Sequence, residues 1–142
     1  MRFVYSIFIL GFNSGSGSAI IKLEGEAMNT LPCYENAIIP IEKFTKYALD
    51  DNRDPDKAIA FRNALGYTSE NVNSLISNIR CNLSCFEARS KGHNGFGVSY
   101  ECIMNLIGSN GKSANVVTAW IIEDGKTSPR LTSAYVTDKK PR

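Results

Sequence analysis

Histidine is almost missing from this chain. His93 is the only one in 142 residues, so mechanisms that pass a proton between two imidazoles are excluded by counting. The four cysteines, Cys33, Cys81, Cys85 and Cys102, lack the two close pairs with further Cys or His nearby that a structural zinc site requires. They read as reduced thiols used as small apolar side chains, and no metal or other cofactor is expected. Long hydrophobic runs are absent too. The apolar run within residues 1–13 holds about eight residues, where a membrane-spanning helix needs roughly twenty. No membrane anchor is therefore expected. A Walker-type phosphate loop and a serine nucleophile elbow are also missing, and Gly108-Ser109-Asn110-Gly111 has the composition of a hairpin turn. A thiol nucleophile paired with His93 is available on inventory, without local context to support it.

What is present describes a globular domain. A hydrophobic share of 43% and a charged share of 21% are ordinary for one, and the length suits a single domain with a tail. A net charge of +2 says little about partners. Lys112, Lys126, Arg130, Lys139, Lys140 and Arg142 nevertheless gather in the C-terminal third, which suits either an RNA-facing surface or a solvated face with a basic tail. Residues 1–30 stand apart as a leader or linker. Their apolar start is followed by Ser14-Gly15-Ser16-Gly17-Ser18, a linker composition, and a signal peptide, a strand and a remnant of a longer chain all remain open.

The domain, residues 31–142, divides into helices and then strands. Pro40 suits the entry to a helix over Ile41 to Leu49. Asp54 before Pro55 predicts the N-cap of a second helix, Asp56 to Leu65, ended by Gly66, with Ile59, Phe61, Ala64 and Leu65 on its buried side. Thr68-Ser69-Glu70 predicts the start of a third and longest helix, with a stripe of Val72, Leu75, Ile76, Ile79 and Leu83, ending by about Phe86. Ser90 to Gly95 reads as a flexible connector. From Phe96 to Tyr135 three β-rich runs are separated by two turn clusters, and Val98, Tyr100, Cys102, Met104 and Leu106 alternate onto one face. The expected fold is α+β: two or three N-terminal helices packed on one face of an antiparallel β-meander with Asn115 to Ile122 at its centre.

Strand alternation would put Arg130, Thr132 and Ala134 on one face of the last strand and Leu131, Ser133 and Tyr135 on the other. Metal-independent RNA cleavage needs a base for the ribose 2′-hydroxyl, an acid for the leaving oxygen and a cation on the phosphate. Arg130 offers a rigid five-donor fork for that phosphate. Lys46, Lys57, Tyr135 or His93 could exchange protons, and Thr132 or Ser133 could hydrogen-bond a phosphate oxygen. Trp120, Ser133 and His93 are candidate substrate contacts. The plainer reading is that Thr, Ser and Tyr are good strand residues, with Arg130 paired to Glu101 or Asp124 on the surface.

Three stretches resemble a domain found at the C-terminal ends of bacterial polymorphic toxins of the contact-dependent inhibition and haemagglutinin type. They are Leu31 to Leu49, Pro55 to Tyr67, and the meander through Ala134-Tyr135-Val136. Helices followed by an antiparallel sheet are also similar, by fold analogy alone, to the barnase, EndoU, colicin and RelE group of ribonuclease toxins. The resemblance carries over to Lys57, Phe61, Gly66, Trp120, Arg130, Leu131, Thr132 and Tyr135. It implies a toxin ribonuclease acting on tRNA in the cytoplasm of a target cell and delivered within a larger protein, of which residues 1–30 would be the junction. It also implies a cognate immunity protein, with a host translation factor as a further partner. A non-catalytic module that binds protein or nucleic acid through the same face is the alternative.

Overall fold

The computed structural model describes residues 29–142 and, before them, only the short antiparallel pair β1 (Phe8–Ile9) and β2 (Ile20–Ile21). The signal-peptide and linker readings of residues 1–30 otherwise lie outside the described residues.

Local signals set the helix ends. Asp54 Oδ1 accepts from the Lys57 N–H at 3.2 Å, and Pro55 fills the first position of α1 (Pro55–Leu65), where a missing N–H costs nothing. Gly66 ends the helix at φ 78°, a left-handed conformation suited to glycine. The buried stripe is Ala58, Phe61 and Leu65. Ile59, expected in it, is exposed instead, because it lies about 100° around the helix from Ala58. Thr68 Oγ1 accepts from the Glu70 N–H, and Asn71 Oδ1 accepts from the Thr68 N–H. That reciprocal cap starts a single turn, Ser69–Asn71, which leads into α2 (Val72–Asn82). This helix has 11 residues, the same as α1, and stops short of Phe86. The helix expected over Ile41 to Leu49 contains a π-helical turn, Phe44–Ala48, in which the Leu49 N–H donates to the Phe44 carbonyl. Phe44 and Ala48 are its buried residues.

The sheet has four strands rather than three. Its order is β3 (Ala88–His93), β4 (Gly97–Ile107), β5 (Ser113–Glu123) and β6 (Arg130–Thr137), with every neighbour antiparallel. The expected connector from Ser90 is the body of β3 and its turn. All positions of β3 after Ala88 are exposed, so no apolar alternation marks it as a strand. On the face toward the helices, Cys102, Met104 and Leu106 of β4, Val116 and Trp120 of β5, and Leu131 and Ala134 of β6 join Phe44, Phe61, Leu65, Leu75 and Ile79 in one core.

Two connections hold the layers in register. Ser109 Oγ donates to the Gly66 carbonyl at 2.8 Å, and Asn71 Nδ2 donates to the same oxygen at 3.0 Å. The β4–β5 turn comes so close there that a Cβ at Gly108 would collide with the Leu65 backbone. The second connection is a strap, residues 29–39. The Ala88 N–H donates to the Asn29 carbonyl at the start of β3, and Ile38 forms a parallel bridge with Arg130 at the start of β6. Leu31 within it is fully buried, and Arg80 on α2 donates to the Ala37 carbonyl at 2.8 Å.

Trp120 is a core residue. It is 1% exposed, so the expectation that it meets substrate is overturned: its place on β5 turns the indole toward the helices. Burial of the indole leaves its N–H in need of an acceptor. Thr118, the one buried polar residue among the described residues, supplies it. Trp120 Nε1 donates to Thr118 Oγ1 at 2.8 Å, and Thr118 Oγ1 donates to the Cys102 carbonyl at 2.8 Å. Replacing Thr118 with valine should strand the indole N–H and lower unfolding stability by about 1–3 kcal/mol, the cost of an unsatisfied buried donor. Urea unfolding followed by far-ultraviolet circular dichroism measures this, and adding Trp120→Phe should recover part of the loss.

All four cysteines are free, as expected, but only Cys102 is buried; Cys33, Cys81 and Cys85 are exposed. The filler role therefore applies to Cys102 alone. Burial pushes the Cys102 thiol up to about 12, despite the opposing hydrogen bond with Thr118. The thiolate is the reactive form. An alkylating reagent at neutral pH should add three labels quickly and the fourth only on unfolding, as mass spectrometry would resolve.

Candidate functional site on the far face of the sheet

The sheet face turned away from the helices is set by register. Glu101, Ala119 and Ser133 lie side by side across β4, β5 and β6, and Ser99, Ile121 and Arg130 form the neighbouring row. Ile103, Val117 and Ile121 are buried and give this face an apolar floor. One irregularity decides which residues of β6 belong here. Ala119 pairs with Ser133 while Trp120 pairs with Leu131, which leaves Thr132 as an extra residue, a β-bulge. Thr132 Oγ1 donates to the Ala119 carbonyl at 3.1 Å across it. Simple alternation fails at this point. Arg130, Ser133 and Tyr135 share the far face, while Leu131 and Ala134 enter the core, so the expected grouping of Arg130 and Thr132 with Ala134 is corrected.

A cavity of about 310 Å³ opens between these rows, lined by Lys91, Asn94, Ser99, Glu101, Ile121 and Thr132, with Tyr100, Ala119 and Trp120 completing its wall. Trp120 contributes to the wall without leaving the core. Glu101 is the sequestered charge of the site. Its side chain is 13% exposed, and it accepts from Arg142 Nη2 at 3.1 Å. A carboxylate so far removed from water needs such a partner. Sequence reasoning weighed Glu101 only as a possible mate for Arg130 and passed over Lys91, Asn94 and Ser99. The available signal was that Glu101 is the single charged residue within β4.

Arg130 is ion-paired, but to neither residue anticipated. Its Nη2 donates to Glu123 Oε2 at 2.8 Å, and Lys126 Nζ reaches Glu123 Oε1 at 3.2 Å. Glu123, Lys126 and Arg130 line a second cavity of about 390 Å³ at the sheet end, with Ile38, Thr127 and Ser128. Tyr135 receives Lys57, whose Nζ lies 5.6 Å from the ring centroid and 3.6 Å from Asp54. Ser133 is half-buried beside Ala119. Lys46 is exposed on the π-helical turn and makes no hydrogen bond or ion pair among the described residues. It does not join the others.

His93 sits at the end of β3. Its Nδ1 accepts from the Gly95 N–H at 3.0 Å, which puts the ring proton on Nε2, and Nε2 donates to the Asp124 carboxylate at 2.9 and 3.1 Å. Both nitrogens are engaged. His93 clasps the β3–β4 turn to the β5–β6 turn, and its neighbour Asn94 is the residue that lines the cavity. Among the described residues no three His, Cys, Asp or Glu side chains converge, and no helix is long and apolar enough to cross a membrane.

This geometry lies within residues 30–138, which match the family described as Domain of unknown function (DUF6883), apart from Arg142. The chain belongs to the DUF6883 family. No curated protein and no solved structure matches it.

The Arg130 hydrogen bond, and then that of Lys126, holds the Glu123 carboxyl below the usual glutamate range. A depressed carboxylate contributes stability that is fully present above its unfolded pKa and is lost as the pH falls through the folded one. NMR titration of the Glu123 carboxyl should give a lowered midpoint in the parent. The midpoint should move up in Arg130→Ala, and by less in Lys126→Ala; equal midpoints in all three proteins would contradict the assigned pair.

Proposed function

We propose that the far face of the sheet cleaves RNA without a metal ion, as the catalytic surface of an antibacterial toxin domain. The observation that carries this reading is Glu101: a nearly enclosed carboxylate, held by Arg142, in a cavity that also offers Lys91, Asn94, Ser99 and Thr132. Glu101 takes the proton from a ribose 2′-hydroxyl, and the 2′-oxygen attacks the adjacent phosphorus. The bond from phosphorus to the 5′-oxygen breaks, and Lys91 gives that oxygen its proton. The products are a 2′,3′-cyclic phosphate and a 5′-hydroxyl, and exchange with water returns both side chains to their starting states. Arg130, which uses one terminal nitrogen on Glu123, retains donors for phosphate oxygens as charge builds there. Ser99, whose hydroxyl accepts from Asn94 Nδ2 at 3.3 Å, keeps its proton for a phosphate oxygen, whereas Thr132 donates its own to the Ala119 carbonyl.

The toxin setting is supported by the resemblance of the helical stretches and the meander to C-terminal domains of polymorphic toxins. On that reading the substrate is tRNA in the cytoplasm of a target cell, and the partner is an immunity protein that covers the far face with complementary charge. The test is purified protein on total tRNA, with the products analysed for 2′,3′-cyclic phosphate ends. Glu101→Gln should lower the cleavage rate by about 10²- to 10⁴-fold, the usual range for a general base. Arg130→Ala should lower it by about 10²- to 10³-fold. Growth arrest on expression with RNA left intact would overturn the reading. Harmless expression and RNA binding without cleavage would favour a binding module instead.

A further inference from the structure

A third cavity, of about 470 Å³, runs along the outer edge of β3, and its polar lining includes Asn29, Thr30, Glu87, Arg89, Ser90 and Arg142. It adjoins the far-face cavity. Tyr100 lines both, and Arg142 lines the edge cavity while bonding Glu101, which lines the other. In register Arg89 stands directly opposite Glu101, so the two backbones are one strand spacing apart, about 4.8 Å. Arg89 forms no ion pair among the described residues, and it is exposed. The volume falls in the range of roughly 300–1,000 Å³ that small ligands fill, which accommodates a single nucleotide unit and not a duplex.

We infer that the edge cavity is a subsite for the nucleotide next to the one being cleaved, with Arg89 holding its phosphate, so that the substrate is a single strand crossing β3 at right angles. The inference rests on the RNA-cleaving reading of the far face. Two guanidinium groups offer charged donors, and Asn29, Thr30 and Ser90 offer neutral ones. Glu87 is the one acidic side chain in the lining, and it disfavours a second phosphate in the same cavity. A cavity of this volume takes one nucleotide unit and has no room for its pairing partner, so the subsite selects unpaired RNA. On a folded RNA, that confines cleavage to loops and single-stranded ends.

The test compares kcat/KM of the full chain on a dinucleotide, which has a single phosphate at the cleavage point, and on a mixed-sequence tetranucleotide. Extension should raise kcat/KM by about ten- to a hundredfold, the range for one charge-assisted contact. Arg89→Ala should remove most of that gain, and Arg89→Lys, which keeps the charge, should restore part of it. A gain that survives in Arg89→Ala, or a parent that shows none, overturns the subsite and leaves the cleavage reading standing. Failure of the parent to cleave any oligonucleotide overturns the cleavage reading and the subsite with it.

Discussion

The hydroxyl of Thr118 is the constraint on which the rest of the architecture depends. Sheet and helices meet across an otherwise apolar core, and the largest side chain in it carries an N–H that must be satisfied away from water. One oxygen satisfies that donor and gives its own proton to the backbone of the adjacent strand. The indole is thereby tied to both β4 and β5. Leucine or valine at 118 would fill similar space, but would leave the tryptophan without a partner. With Trp120 fixed toward the helices, the rows that contain Glu101 and Arg130 are obliged to face the other way.

The bulge at Thr132 then divides β6 between two duties. Upstream of it Leu131 is core, and downstream of it Ala134 is core, although three positions separate them. A regular strand would have sent one of the two outward. The extra residue lets Arg130 and Ser133 lie on one side without costing the core an apolar contact, and it brings the Thr132 hydroxyl to the rim of the cavity. Bulges that re-aim side chains are common beside functional sites. Packing and surface chemistry are reconciled here by a single inserted residue.

Much of the fold was legible because its signals are local. Asp54 with Pro55, Gly66, and Thr68 act within a few residues of themselves, and the long alternation of β4 reports a half-buried strand directly. The misses have a common physical cause. β3 is an edge strand with polar residues on both faces, so its pairing with β4 supplies a stability that no periodicity in Ser90, Lys91 and Gly92 could announce. Ile59 and Trp120 depended on which way a helix or strand is turned, which is a tertiary matter. The site was less legible than the fold. Arg130 was legible as a cation at the start of the last strand, yet its mate is Glu123, and the interest of Glu101 comes from Arg142 beside it. Contacts between residues 41 positions apart leave no trace in local pattern.

The strap of residues 29–39 has a mechanical consequence. A fully extended chain of that length would reach about 35 Å, whereas the sheet is only three strand spacings wide, about 14 Å. The surplus is taken up by the turn Tyr34–Asn36, entered through Cys33 at φ 55°. The strap touches the edges at isolated points, Asn29 at β3 and Ile38 at β6. Tension applied to the chain ahead of residue 29 would therefore load these bonds one after another, as in opening a zip, rather than shearing many together. Leu31 would be drawn out of the core before the β4–β5 ladder bore any force, and the domain would yield from its N-terminal side under a light pull while resisting a much greater load across the central strands.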